Sequence, residues 1–154
     1  MDVNKVAPFL DAVGVVMPQL GFQNIERGRL AISSDPKISS QGVMVIVGLT
    51  DQIRGNVVYN MSVDSAKKIA STMMMGMPVE TFDAMAESAI SELGNMLAAN
   101  AVTLFEARGT KTNISPPTLV VGDSSVSKIG NVNNLVVELK IDGIPIEIDV
   151  ALDK

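Results

Sequence analysis

Apolar and polar positions change period several times along this chain, and each change marks an element boundary. Residues 3–20 are mostly apolar and end at Gly21, which predicts a first helix, with Pro18 leaving its last turn open. Residues 22–33 give a weaker strand signal, followed by a polar loop over 34–41. The unbroken apolar run over 43–49, rich in Val, predicts a central strand covered on both faces. Residues 50–54 read as a hairpin connection into a second strand over 55–61. Ser62 is placed to cap a helix reaching Met75, with Gly76 and Pro78 as its stop. A long helix then starts near Thr81, runs to about Ala107 and ends at Gly109, with Arg108 and Lys111 suited to its negative end.

The last third switches to period two. Leu135, Val137, Leu139 and Ile141 alternate with Val136, Glu138 and Lys140, and after Asp142-Gly143 the sets Ile144, Ile146, Ile148, Val150, Leu152 and Pro145, Glu147, Asp149, Ala151 alternate likewise. Two such runs joined by Asp-Gly predict a hairpin with a type I′ turn. In that register Pro145 opposes Lys140 as a non-hydrogen-bonded pair, so the second strand should be unpaired on its outer side near its start. The expected class is α/β (an α+β sandwich), about three helices on a mainly antiparallel sheet, over a single domain of residues 1–154.

The long helix has two unlike faces. Ala86, Ile90, Leu93, Leu97, Ala101 and Leu104 form the stripe that must be buried. Opposite them Ser88, Glu92 and Asn95 share one face at i, i+4, i+7, continued by Ala84, Ala99 and Thr103. That face is nearly flat, with one carboxylate and one amide standing out, so a second protein could lie close along it. A plain solvated surface would also carry Ser, Glu and Asn there. Such surfaces, however, are usually filled with long helix-forming side chains, whereas Gly94 in mid-helix costs about 1 kcal/mol against Ala. A local cost without local reward points to function.

At 154 residues with 47% hydrophobic content, the chain can bury on the order of 70% of its unfolded surface. A formal charge of −5, no basic run, and only four Phe and one Tyr argue against nucleic-acid binding. There is no Cys, which excludes disulfides and thiolate metal sites, and no His, which removes the usual general base. Chemistry here must run on carboxylates, amides and hydroxyls, or borrow reactive groups from a partner. The first helix contains Pro8, Asp11 and Pro18 and lacks a basic leader, so neither a signal peptide nor a membrane span is expected, and the cytoplasm is the default location.

Other constellations carry less. Met73, Met74, Met75 and Met77 read as fillers of core gaps, and Lys67-Lys68 as a solvated helix face. The loop over 121–130 has small residues but not the spacing of a phosphate loop, and is expected to be an ordinary mobile connection. Glu138 and Glu147 should face each other across the hairpin as an acidic patch rather than a catalytic pair.

The pattern Ser88-x3-Glu92-x2-Asn95, followed some twenty residues later by Pro116-Pro117, resembles the signature of the CheC/CheX/FliY phosphatases of bacterial chemotaxis. The words AESAISELGNM at 86–96 and PTLVVG at 117–122 carry that resemblance, and the order of elements is similar over essentially the whole chain. The first helix lacks a Glu-x2-Asn, so there is one motif rather than the two usual in CheC-like members, and one motif with this length resembles CheX. The resemblance implies a homodimer whose sheets meet across the subunit interface. It implies as substrate a phosphorylated response regulator similar to CheY, which would carry its own Mg2+, with no cofactor or metal held by this chain. By the same resemblance Asn95 would orient an in-line water and Glu92 would pair with a regulator Lys, making these two catalytic. Ser88, Ala84 and Ala99 would be partner contacts. Two other classes stay open: a non-catalytic regulator-binding or flagellar-switch-like module, and a purely structural dimeric domain.

Overall fold

The computed structural model describes residues 3–123, 125–129 and 133–153. Among these residues three helices, α1 (Val3–Gln19), α2 (Val63–Met73) and α3 (Ala84–Ala107), accompany nine strands: β1 (Ile25–Ser33), β2 (Lys37–Ser39), β3 (Gly42–Asp51), β4 (Gly55–Ser62), β5 (Thr112–Ile114), β6 (Thr118–Val121), β7 (Val126–Lys128), β8 (Asn134–Ile141) and β9 (Ile144–Leu152). Seven strands form one sheet in the order β1-β8-β9-β4-β3-β5, with β6 also on β3, and every pair is antiparallel. The expected class of helices on an antiparallel sheet is what the structure has.

The doubly covered strand is β3. Val43, Val45, Val47 and Leu49 point into the helical layer, where they meet Phe9, Ile90, Leu93 and Leu97. Met44 and Ile46 point to the other face, under a cover that the sequence reading missed. Strands β2 and β7 pair into a small antiparallel ribbon whose Ile38, with the neighbouring Ile129, packs on Met44, Val58 and Ala151. Two amides from the outer face of β4 tie that cover down: Asn56 Nδ2 donates to the Ile129 carbonyl at 2.7 Å and Asn60 Nδ2 to the Ser39 carbonyl at 2.9 Å. Neither the 34–41 segment nor the 121–130 segment is therefore a bare connection, although Ser124 and Gly130 lie outside the described residues.

The C-terminal hairpin follows its sequence. Asp142 and Gly143 have φ of 50° and 79°, as a type I′ turn demands, and Glu138 faces Glu147. Strand β9 pairs with β4 only from Glu147 onward, which leaves Pro145, with no N–H to give, beside an open edge. Strand β1 is the outer edge of the sheet. Its Leu30 and Ile32, 54% and 61% exposed, oppose the core residues Val137 and Leu135 and so stand on the helix-bearing face beyond the helices' reach.

Alternation alone puts Asp149 on the solvent side of β9, but it is 1% exposed, flanked by Val58 and Val136, and its Oδ2 has no hydrogen-bond partner among the described residues. Burial first, and then the hydrogen bond and charge of neighbouring Glu147, push its carboxyl up to about 9 from the usual 3.8. The folded state therefore holds a proton that the unfolded chain releases, and this group erodes stability as pH rises from about 4 toward 9. Asp149→Asn keeps the shape and can donate to Glu147. Its gain in stability over the parent, read from denaturant midpoints, should be larger at pH 8 than at pH 5. Equal midpoint differences at both pH values would contradict this account.

Candidate functional site

Helix α3 is fixed at its start by Asp83, whose side chain accepts the Ala86 N–H at 3.0 Å while its carbonyl accepts the Glu87 N–H at 2.9 Å. The helix, expected to start near Thr81, thus begins three residues later, at Ala84. At the other end Arg108 reaches across to α1, 3.5 Å from Asp11, and the rings of Phe9 and Phe105 meet edge to face at 5.5 Å. With both ends held, the helix presents a defined outer face.

Ala86, Ile90, Leu93, Leu97 and Ala101 are buried as expected, joined by Phe105, while Leu104 is only half-buried. Gly94 belongs to the buried face as well. A Cβ built there would lie 2.5 Å from Val45 Cγ1 and 3.0 Å from Val45 Cβ, with the Tyr59 ring at 3.5 Å. The mid-helix glycine is thus explained by packing: it lets the helix lie close on β3, and it is not itself a sign of function. Gly94→Ala should cost about 1–3 kcal/mol, because Val45 is fully buried and branches at the contact. A melting temperature unchanged or raised in that variant would show that the contact is loose.

The outer stripe is where the spacing put it. Ala84, Ser88 and Glu92 are exposed and Asn95 half-buried. They form one wall of an open groove of about 720 Å³, whose other wall is Ser115, Pro116 and Pro117. Glu87 also lines it, so among the described residues the groove holds two carboxylates and no cation. Neither the Glu92 carboxylate nor the Asn95 amide has a hydrogen-bond or ion-pair partner among the described residues. Both are free to meet a partner. Ala99 is half-buried and lies outside the groove, so the structure separates it from the other four stripe residues.

The second wall was only partly legible. The sequence shows its two prolines as a motif, but the strands of three and four residues on either side of them are too short to carry a period. Strand β5 pairs with β3 through Leu49 and Ile114, and β6 through Ile46 and Thr118. The Ser-Pro-Pro segment is the kink between them, which brings residues some twenty positions downstream to the flank of α3. Both Pro116 and Pro117 line the groove.

The methionines differ from expectation. Met73 and Met74 pack against the core, but Met75 is 97% exposed and Met77 57%, because the turn after α2 carries them outward with Met75 at a φ of 60°. Lys67 and Lys68 belong to a surface face as expected, with Lys68 3.2 Å from Asp64 one turn earlier.

A family model described as "Chemotaxis phosphatase CheX" matches residues 43–140, which include all of β3 but Gly42, the whole of α3 and the Ser-Pro-Pro wall. The chain belongs to the CheX family. Among curated CheX relatives, one named "CheY-P phosphatase CheX" from Thermotoga maritima is 38% identical over 89 residues, and the match spans 57% of this chain and 57% of that protein. Among solved CheX structures, a chain of the CheX–CheY–BeF3–Mg+2 complex from Borrelia burgdorferi superimposes with a TM-score of 0.77 at 30% identity, over 97% of each chain. A CheC-like superfamily protein from a Shewanella species shares the fold over the full length of both chains, with a TM-score of 0.87 at 18% identity. No helix among the described residues is long and apolar enough to cross a membrane.

Proposed function

We propose that this chain hydrolyses the aspartyl phosphate of a CheY-like response regulator that docks on the outer face of α3. The observation that carries the reading is the groove itself. An unpaired carboxylate and an unpaired amide stand one turn apart on a face that, apart from Glu87, is built of small side chains, within the segment matched by the CheX family model. The relative named as a CheY-P phosphatase, and the neighbour solved as a complex with CheY, support the choice of substrate.

Hydrolysis of an acyl phosphate asks little covalent chemistry of the protein, and most of the catalysis is positioning and electrostatics. A water attacks phosphorus in line, the bond from phosphorus to the regulator's carboxylate oxygen breaks, and inorganic phosphate leaves. Mg2+ held by the regulator would neutralise charge on the phosphoryl oxygens. Asn95 contributes a neutral amide that cannot take a proton but can hold the water at the right angle by hydrogen bonds. Glu92 anchors the complex by meeting a cation on the regulator, in keeping with a groove that has carboxylates and no cation of its own. Ala84 and Ser88 contribute small surfaces that allow close approach. Such a reaction needs no His, Cys or cofactor from this chain, and it belongs in the cytoplasm, where its substrate would be made.

The same reading includes a homodimer. Strand β1 has no neighbouring strand on its outer side among the described residues and carries two exposed apolar side chains, Leu30 and Ile32, which suit it to pair with a second copy.

The test is the loss of acyl phosphate from a phosphorylated CheY-like regulator mixed with this protein. A shortened half-life supports the phosphatase reading. An unchanged half-life contradicts it, and a lengthened one would make the protein a binding module that protects the phosphoryl group.

A further inference from the structure

The wall opposite Asn95 is built from two prolines, and prolines cannot maintain a strand ladder. Between Ile46, which pairs with Thr118, and Leu49, which pairs with Ile114, β3 contributes two residues where the neighbouring chain contributes three. Gly48 faces this gap. Its carbonyl accepts the Ser115 N–H at 2.9 Å, and its own N–H, which has no ladder partner on β5 or β6 among the described residues, donates to Ser115 Oγ at 2.8 Å. The same hydroxyl donates to the Pro116 carbonyl at 3.2 Å. A single serine side chain therefore stands in for the missing ladder bond and also braces the first proline. Gly48 leaves room for it, since a Cβ there would come within 3.1 Å of that oxygen.

We propose, resting on the phosphatase reading above, that Ser115 is a positioning residue for the reaction. Its hydroxyl fixes the Pro116–Pro117 wall and so sets the width of the groove in which the regulator's phosphoryl group meets Asn95. Without the hydroxyl, the Gly48 N–H loses its acceptor and the wall is held at that point by one bond instead of two. A displacement near 1 Å at a reacting centre can cost about 10² in rate, whereas docking through Glu92 on the opposite wall is untouched. The effect therefore falls on turnover more than on apparent affinity.

The experiment compares wild type, Ser115→Ala and Ser115→Thr for kcat and KM against a phosphorylated CheY-like regulator. Threonine keeps the hydroxyl, and a β-branched residue suits the extended backbone favoured before a proline. Ser115→Ala should lose about tenfold or more in kcat, within the limit just given, with KM changed by less than about threefold. Ser115→Thr should return kcat to within about threefold of wild type. Wild-type kcat in the alanine variant, or a threonine variant no better than alanine, overturns the role of the hydroxyl while leaving the phosphatase reading in place. No turnover by wild type overturns both.

Discussion

Asn95→Ala should reduce dephosphorylation of a docked response regulator by at least about 10²-fold while leaving the affinity of the complex little changed. The amide stands half-buried in the groove without a partner of its own, so its removal breaks no interaction among the described residues. What is lost is the orientation of water, an interaction realised only as the reaction proceeds, and such losses appear in kcat. Stability should stay within about 0.5 kcal/mol, because the residue lies away from the core stripe. A variant in which rate and affinity fall together would make Asn95 a binding residue, and the water-positioning role would have to be given up.

The second large effect comes from adding bulk. Ser88→Trp places an indole in the groove, one turn before Glu92, on an exposed position whose present side chain is among the smallest. Folding should be nearly untouched. Dephosphorylation should nevertheless collapse, because the indole holds two surfaces apart that must come within hydrogen-bond distance. Leu97→Ala supplies the opposite control. That side chain is fully buried, and its truncation should cost about 2–5 kcal/mol through the cavity it leaves. Melting curves and regulator dephosphorylation on the same two variants separate docking from stability. A fully active, normally melting Ser88→Trp would show that the partner docks elsewhere. Ala99 is not suited to this test, since it is half-buried and outside the groove.

How far the fold could be read from the chain depended on how long each periodic segment was. Helix α3 and the β8–β9 hairpin were legible because their apolar positions repeat over many residues and their ends carry distinct chemistry, an Asp-Gly turn in the hairpin and a glycine after the helix. Strands β2, β5 and β7 were not. Three residues such as Lys37–Ser39 carry no period, and they are strands only because a partner distant in sequence supplies the ladder. The outer ribbon was therefore invisible, and the 1% exposure of Asp149, in the polar set of β9, could not be read from alternation.

The site was legible on one wall and, on the other, only in its two prolines. Ser88, Glu92 and Asn95 follow from helical spacing, whereas Ser115 opposite them depends on how β3 brings together β5 and β6. Gly94 shows the converse: a residue that looked functional because it was costly in a helix proves to be a packing point against Val45. The approach distance between a helix and a sheet is not written in either segment alone.

The most direct test of the central claim is phosphate release from a CheY-like regulator kept phosphorylated in large excess by a small-molecule phosphodonor. With this protein present in catalytic amounts, release above the regulator's own rate should continue linearly through many equivalents of the protein and vanish in Asn95→Ala. Release that stops at one equivalent, or that never exceeds the regulator's spontaneous rate, would contradict the assignment of a phosphatase site to the outer face of α3.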